Sequence, residues 1–352
     1  MLVDTALMTA DLRNAAQQAR DAERFGYDGL WTAEAGHDPY LPCALAATAT
    51  ERITIGTNIT VAFPRSPLVH AQVAWDLQAA SRGRFVLGLG TQVKGHNERR
   101  YSTPWTAPGP RLREMIRLLR HIWDVWQNGT KPGFEGTYYR FSLMTPFFAP
   151  APHDWPHVPI YIAAVNPYMC RLGGELCDGI HVHPFHSIRY LRETLLPNME
   201  AGLAKAKRTR KDVTLATTAF MITGETRDDL ERAKGPVRTQ LAFYASTRTY
   251  IGVLEAHGWG ETCHRLNEKA AKGDWGGMGS LITDEMLDVF AVQGTYDELP
   301  GLLRKKYTGV LDRLGVYALP GALPADESAR RAHIDAIRRC SAPSRERRAF
   351  RR

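Results

Sequence analysis

Residues 26–34 have the sequence GYDGLWTAE, in which a glycine that can end a helix precedes a short apolar run and an acidic residue. The apolar run can form a buried strand, and the glycine suits the left-handed turn that often ends a helix. Upstream, small apolar residues recur with helical spacing from Leu12 to Ala22, so we expect a helix that Thr9 caps and Gly26 ends. This order of helix, turn and strand predicts one unit of a repeated β/α fold.

The same alternation continues along the chain and predicts an α/β protein, a (β/α)8 TIM barrel. Residues 1–340 form the expected single domain, and residues 341–352 form a basic tail. An insertion at about residues 224–305, between strands seven and eight, is longer than one helix requires and predicts a lid or dimer-contact region. The predicted strands are Val3–Met8, Asp28–Ala33, Ile53–Thr57, Phe85–Leu89, Ile160–Ala164, Gly179–His183, Thr214–Ile222 and Arg313–Ala318.

Several helices and one hairpin can be predicted between these strands. Ser66 and Pro67 suit the cap and first position of a helix. A long helix over Pro110–Trp126 has an apolar stripe that includes tryptophans, which we interpret as core packing. Gly133–Phe141 predicts a small hairpin, and Ala325–Arg339 predicts the last helix.

Charge and composition exclude several classes of protein. The formal net charge is +8, but the segment Arg345–Arg352 contains five arginines and one glutamate, so about half of the excess lies in the tail. No recognition motif accompanies the charge, and we therefore expect no nucleic-acid partner. Neither a secretion signal nor an apolar run of bilayer length is present, which predicts a cytoplasmic protein without a membrane partner.

The cysteine pattern predicts free thiols. The chain has five cysteines, widely spaced and without a CxxC pair, so neither a disulfide framework nor a zinc knuckle is indicated. They are Cys43, Cys170, Cys177, Cys263 and Cys340.

Candidate site residues follow the strands, because the active site of such a barrel is built at the carboxyl ends of its strands. We expect these residues to converge on one mouth. They are Glu34 after strand two, Asn58 and Thr60 after strand three, Thr91 after strand four, Ala164, Val165 and Asn166 after strand five, and His181 and His183 at strand six.

Two of these segments have alternative interpretations. Residues 88–93, GLGTQV, lack the third glycine of a dinucleotide fingerprint because Val93 stands in its place. The glycines there either admit a planar ring or form a tight turn. Asn166 opens a helix near Tyr168, where backbone N–H groups could bind a phosphate or Asn166 could serve as an ordinary cap.

His181 and His183 point to the same side of a strand and could present a metal. Few carboxylates accompany them and no HExxH motif occurs, so we expect no metal and interpret both as lining a cofactor pocket. A zinc hydrolase and a non-catalytic binding protein remain as alternatives from other classes. No GxSxG motif supports acyl transfer.

Residues 26–34 and three further segments together resemble a known family of proteins. Residues 52–57 are RITIGT, residues 81–90 are SRGRFVLGLG, and residues 177–179 are CDG, in the order found in the luciferase-like monooxygenase superfamily. With Pro159–Ala164 they cover most of the chain from Val3 to Leu319. The chain specifically resembles the coenzyme F420-dependent oxidoreductases of that superfamily.

The resemblance implies a cofactor, a reaction and a set of contacts. It implies hydride transfer between coenzyme F420, a deazaflavin, and a small organic substrate, in a dimeric enzyme, with an FMN-dependent monooxygenase as the alternative. It also implies a bulge with a non-proline cis peptide at Asn58–Ile59. The expected cofactor-binding residues are Glu34, Thr57, Asn58, Ile59, Thr60, Thr91, Ala163, Ala164, Val165, Asn166, His181 and His183.

The sequence departs from the sugar-phosphate dehydrogenases of that family at two positions. Those enzymes carry a histidine directly after the strand-two acid and a glutamate two residues after the strand-four threonine, where this chain has Ala35 and Val93. Oxidation of a sugar hydroxyl by that pair is therefore not expected. His37 and His96 are the substitutes we predict for catalytic proton transfer.

Overall fold

The computed structural model describes residues 1–8, 11–317, 322–324 and 326–339. Within these residues, eight parallel strands form a closed barrel, which confirms the predicted TIM-barrel fold. Strand order around the barrel follows the chain, and the last strand returns to the first with Leu2 opposite Arg313. The strands are β1 Leu2–Ala6, β2 Gly29–Thr32, β3 Thr54–Thr57, β4 Phe85–Gly90, β5 Ile160–Ala164, β6 Gly179–Val182, β7 Thr214–Ile222 and β8 Arg313–Val316.

Helices connect the strands and pack around the barrel. A π-helical stretch, Leu191–Leu195, lies between two of them. The helices are α1 Ala15–Phe25, α2 Tyr40–Ala49, α3 Pro67–Ala80, α4 Lys94–Arg99, α5 Pro108–Asn128, α6 Pro167–Leu176, α7 Ile188–Tyr190, α8 Leu196–Lys205, α9 Arg227–Ala245, α10 Ile251–Glu255, α11 Gly260–Ala271, α12 Asp284–Phe290, α13 Leu299–Tyr307 and α14 Glu327–Arg339.

The predicted helix boundaries have clear local causes. Ser66 accepts a hydrogen bond from the Val69 N–H at 3.3 Å, and Pro67 occupies the first turn of α3, as the sequence predicts. Gly26 ends α1 with φ of 93°, a left-handed conformation that glycine adopts without a steric cost. Thr9, the predicted cap of α1, lies outside the described residues.

The long helix α5 is a core element. Trp123 and Trp126 are only 4% and 3% exposed, which confirms that these tryptophans pack in the core. Trp126 meets Trp75 of α3 edge to face, with 5.8 Å between ring centroids. The predicted hairpin is also present, with Phe134–Glu135 antiparallel to Arg140–Phe141.

The segment between β7 and β8 is a helical insertion that contains α9 to α13. Its short strand Ala291–Gln293 pairs in parallel with the end of β7, where Phe220 lies opposite Ala291. The insertion therefore continues the sheet beyond the barrel. Its function as a lid or dimer contact stays a prediction.

The differences from the predicted elements are small. Most predicted strands begin or end one or two residues away from the observed bounds, because strand pairing stops where the backbone turns at the barrel rim. Four described cysteines are buried free thiols, while Cys340, Ala318, Ala325 and the basic tail lie outside the described residues. Within the described ranges, none of the helices has the length and apolar character needed to span a lipid bilayer.

Candidate functional site

The interior of the barrel is filled below its mouth by a layer of large side chains, which we call the interior floor. Arg313 donates to both carboxylate oxygens of Asp4, at 2.9 and 2.7 Å, and Trp31 Nε1 donates to the same carboxylate at 2.9 Å. His181 lies edge to face against Trp31 at 4.9 Å, and Tyr161 lies 5.2 Å from His181. These five residues close the barrel beneath the carboxyl ends of the strands.

Above the floor, the inward-facing residues are small. Side chains alternate along a strand, so the residues two positions beyond Asp4, Trp31 and Tyr161 face the same interior. They are Ala6, Ala33 and Ala163; Ala33 is exposed, and the other two are partly exposed. A space accessible to solvent, which we call the mouth hollow, therefore lies between these alanines above the floor.

Glu34 lies at one side of the mouth hollow in a dense network of hydrogen bonds. Its side chain is only 6% exposed. Its two oxygens accept hydrogen bonds from Thr60 Oγ1 at 3.0 Å, the Val61 N–H at 2.7 Å, Arg65 Nη1 at 2.9 Å and Tyr101 Oη at 3.2 Å. Arg65 also binds Asp38 at 2.7 Å. Glu34 is thus fixed in place by four donors, and we infer that it holds the rim together.

The segment after β3 forms the adjoining side of the mouth hollow. The Asn58–Ile59 peptide bond is cis, as the resemblance implied. The Asn58 N–H donates to the Thr32 carbonyl at 2.6 Å, and the Ile59 carbonyl accepts from the Glu34 N–H at 3.0 Å. These bonds fix the bulge against the end of β2. Ile59 also packs closely over Gly90, since a Cβ on that glycine would lie 2.6 Å from the Ile59 side chain.

Two predicted cofactor contacts in this segment are fully buried. The Thr57 hydroxyl donates to the Gly88 carbonyl at 2.8 Å and accepts from the Gly88 N–H at 2.9 Å. Thr60 is equally buried and donates to Glu34. Both threonines use their hydroxyls inside the protein, so they support the mouth and do not present a free hydroxyl to it.

The sequence profile of the luciferase-like monooxygenase family matches residues 2–313. The chain belongs to this family. It is 45% identical over 328 residues to an uncharacterized protein of Mycobacterium tuberculosis. That alignment covers 93% of this chain and 95% of that protein. It is 31% identical over 285 residues to a 5,10-methylenetetrahydromethanopterin reductase of Archaeoglobus fulgidus, over 79% of this chain and 81% of that reductase.

A solved structure confirms that the luciferase-like fold extends over almost the whole chain. The coenzyme F420-dependent tetrahydromethanopterin reductase from Methanopyrus kandleri superposes with a TM-score of 0.74. The two sequences are 19% identical, and the superposition covers 96% of this chain and 97% of the reductase. At that identity the similarity supports the fold alone.

The end of β5 in this luciferase-like chain leads directly into α6. Asn166 caps the helix by accepting from the Met169 N–H at 3.0 Å, which confirms the ordinary cap among the two interpretations. Ala164 is buried, and the Val165 carbonyl accepts a hydrogen bond from the Tyr190 hydroxyl. A phosphate at this helix end stays a prediction.

The two histidines of β6 occupy different levels of the barrel. His181 belongs to the interior floor; it is 2% exposed, and neither of its ring nitrogens has a hydrogen-bond partner in the described part of the chain. Burial lowers its pKa to about 3, so the ring is neutral. The described residues contain no group of three or more histidine, cysteine, aspartate or glutamate side chains that could hold a metal ion.

His183 lies one level higher, at the mouth hollow, and is partly exposed. Its Nδ1 accepts from the Phe185 N–H at 3.1 Å. Burial by surrounding atoms lowers its pKa to about 3, so the ring is neutral and its one proton lies on Nε2. His183 therefore presents an N–H donor.

The remaining predicted residues lie around the rim. Thr91 is partly buried; its hydroxyl donates to the Gln92 carbonyl at 3.2 Å, and its carbonyl accepts from Asn97 at 3.0 Å. His37 and His96 are both exposed, and within the described ranges neither ring makes a hydrogen bond to a residue of the mouth hollow. Their predicted catalytic function gains no support from this placement.

Sequence reasoning did not predict the aromatic residues opposite Glu34. Tyr244 and Tyr250 contact the His183 ring, with centroids 4.6 and 4.4 Å away. Tyr317 hydrogen-bonds to Tyr244, and Phe220 stacks on Tyr317 at 4.4 Å. Tyr317 could have been predicted from its position after β8. Tyr244 and Tyr250 could not, because they lie in the helical insertion.

A separate groove of about 620 Å³ lies at the opposite end of the luciferase-like barrel. It adjoins the amino ends of β5 and β6, where Arg120 and His157 pair with Asp178. It is remote from the carboxyl ends of the strands, where barrel enzymes carry their active sites.

Proposed function

We propose that this chain is an oxidoreductase that binds coenzyme F420 in the mouth hollow and transfers hydride between this deazaflavin and a small organic substrate. The observation that carries the proposal is the hollow itself. Small residues, Ala6, Ala33 and Ala163, stand above a closed floor and beside the Asn58–Ile59 bulge. Such a space suits a planar ring that approaches the backbone closely.

The chemistry of the surrounding groups fits a deazaflavin ring. The pyrimidine portion of that ring carries carbonyl and N–H groups, which call for donors and acceptors that are fixed in position. Asn58 is partly exposed, and its carboxamide makes no hydrogen bond within the described ranges. His183 adds an N–H donor across the hollow. We expect these two side chains to orient the ring.

The protein contributes the orientation of the reacting groups and a floor without free charge. When bound, the deazaflavin supplies or accepts the hydride. The floor beneath the hollow contains a fully paired ion pair, Asp4 with Arg313, so no free charge stands below the ring. The locked network around Glu34 keeps the rim rigid, which favours a close and reproducible approach of the two reacting carbons.

The name of the family favours a second candidate, an FMN-dependent monooxygenase. The same hollow would accept the three-ring system of FMN, and the geometry alone does not separate the two cofactors. The sequence relative reported above is a reductase and not a monooxygenase, which favours the deazaflavin.

Titration of the purified protein with oxidised coenzyme F420 and with FMN, separately, tests the proposal. We expect coenzyme F420 to bind at least tenfold more tightly, which corresponds to about 1.4 kcal/mol. Ala163→Phe should abolish binding because the added ring would fill the hollow. Ala201→Phe, on the exposed surface of α8, is the matched control and should bind normally. Preferential binding of FMN, with oxygen-dependent turnover, would favour the monooxygenase.

A further inference from the structure

Two tyrosines at the mouth hollow form a hydrogen-bonded phenol pair. Tyr317 directly follows β8, two positions beyond the inward-facing Gly315, and is partly exposed. Tyr244 comes from the last turn of α9, and the two hydroxyl oxygens are 2.7 Å apart. Phe220 stacks on Tyr317 with 29° between the ring planes. The two phenols thus meet although they lie in distant parts of the sequence.

The other titratable groups near the hollow are unsuited to giving a proton to a substrate. Glu34 has its oxygens occupied by four donors. His183 is neutral, and a neutral imidazole is a very weak acid. His37 and His96 are exposed on the rim. Tyr250 contacts His183 but makes no hydrogen bond to a second phenol within the described ranges, so the Tyr317–Tyr244 pair is the proton donor whose negative charge a neighbouring phenol can stabilise.

Above the interior floor, the inward-facing positions in the described part of the chain carry neither lysine nor arginine. Arg313, in the floor, is already paired with Asp4, and Arg65 is paired with Glu34 and Asp38. A phosphorylated or carboxylate substrate would therefore meet no free counter-charge beside the phenols. Tyr244, Tyr250 and Tyr317 are partly exposed and instead offer aromatic surface, which favours a planar, uncharged compound.

On the basis of the function proposed above, we propose that Tyr317 is the catalytic proton donor for reduction of an uncharged conjugated enone, and that Tyr244 stabilises the resulting phenolate. Hydride from the reduced deazaflavin forms a new C–H bond at the β-carbon of the enone. The displaced π electrons move to the carbonyl oxygen, which takes the proton as the O–H bond of Tyr317 breaks. The resulting enol becomes the saturated ketone, and water returns the proton to Tyr317.

The order of the two phenols follows from their positions. Tyr317 has the inward position on the barrel and is partly exposed, so we assign the contact with substrate to it. Tyr244 can then donate its own hydrogen to Tyr317 and stabilise the negative charge that develops there. A phenolate held by a single donor of this kind gains about 1.5–3 kcal/mol.

The phenol pair can be tested in protein without cofactor. We would replace Tyr317 by 3-fluorotyrosine and follow its ionisation by fluorine NMR, with and without Tyr244→Phe. Loss of the Tyr244 donor should raise the pKa of the fluorophenol by about one to two pH units. Tyr27→Phe, which removes a buried phenol before β2, should leave it unchanged. If the pKa of the fluorophenol at position 317 is the same with and without Tyr244→Phe, the proposal that Tyr244 stabilises the phenolate is overturned.

The reaction can be tested by anaerobic single-turnover reduction of cyclohex-2-enone by protein loaded with reduced coenzyme F420. Tyr317→Phe should slow hydride transfer about a hundred- to ten-thousand-fold. Its affinity for coenzyme F420 should stay within twofold of the wild type, and Tyr27→Phe should react at the wild-type rate. An equal rate in Tyr317→Phe would overturn its function as donor.

The outcomes separate this inference from the proposed function. If the wild type binds coenzyme F420 but reduces only charged compounds, or no enone, the substrate class is overturned while the proposed function stands. If the wild type fails to bind coenzyme F420, the proposed function fails and so does the reaction, although the NMR result still decides whether the phenols are coupled.

Discussion

At the level of single residues, the buried pair of Arg65 and Glu34 predicts a large loss of stability when one partner is removed. The two side chains are 20% and 6% exposed. Arg65→Met would leave the Glu34 carboxylate buried without its cation, which typically costs about 3–5 kcal/mol. Urea denaturation should show this decrease in the free energy of unfolding.

The control for this substitution is Arg140→Met in the hairpin. Arg140 pairs with Glu135, but both side chains are well exposed, so the loss should stay below about 1 kcal/mol. Adding Glu34→Gln to Arg65→Met should restore part of the stability, because it removes the uncompensated charge. If Arg65→Met lowers the free energy of unfolding no more than Arg140→Met does, the Glu34 carboxylate does not need Arg65 to remain stably buried.

The sequence predicts one half of the candidate site far better than the other. Glu34, Asn58 and His183 can be predicted because each lies within two residues of the end of a strand, and strand ends of one barrel must meet. Arg65 and Tyr244 cannot, because each reaches the site from a connecting segment. No local pattern shows which side chain of a loop or helix will turn toward the mouth.

At the level of elements, Gly88 on β4 allows β3 and β4 to pack closely. A Cβ at this position would lie 1.7 Å from the Thr57 carbonyl oxygen and 2.8 Å from His181 Nε2. The nearest obstacle is backbone, which cannot move aside without separating the strands. We expect Gly88→Ala to cost about 3 kcal/mol or more in thermal or urea unfolding.

Gly301→Ala in α13 is the matched control, since no residue beyond its chain neighbours and its own helix backbone lies within 4 Å of the added Cβ. Alanine loses less conformational entropy than glycine in a helix, so this variant should be more stable by about 0.4–1 kcal/mol. A similar effect of the two substitutions would show that close packing at Gly88 is unimportant.

For the whole molecule, the outer face of α2 and α3 is an apolar surface that is partly exposed. The sequence of α2 contains no charged residue, and that of α3 contains only Asp76. Leu41, Leu45 and Val69 are 54%, 37% and 42% exposed on these adjacent helices. We propose that a second copy covers this face. In a twofold interface each substitution acts twice, so Leu45→Glu should yield monomers in sedimentation analysis, whereas Ala201→Glu should not.

Three buried histidines in different parts of the molecule should make the free energy of unfolding depend on pH. Burial lowers the pKa of His70 to about 4, of His181 to about 3 and of His186 to about 4. In the unfolded chain each has a pKa of about 6.5, so between about pH 6.5 and 4 the unfolded state binds more protons than the native state. The free energy of unfolding should therefore fall as pH decreases, by up to about 1.4 kcal/mol per pH unit for each histidine.

His70→Gln isolates one of these contributions. His70 Nδ1 accepts from the Tyr40 hydroxyl at 2.7 Å and Nε2 donates to the Ala62 carbonyl at 2.9 Å, and a glutamine amide offers the same acceptor and donor without titrating. The slope of unfolding free energy against pH should become shallower by about 1.4 kcal/mol per unit in this range. The control is His264→Gln, on the exposed side of α11, which should leave the slope unchanged. If His70→Gln and His264→Gln give the same slope, burial does not keep His70 neutral in the native state.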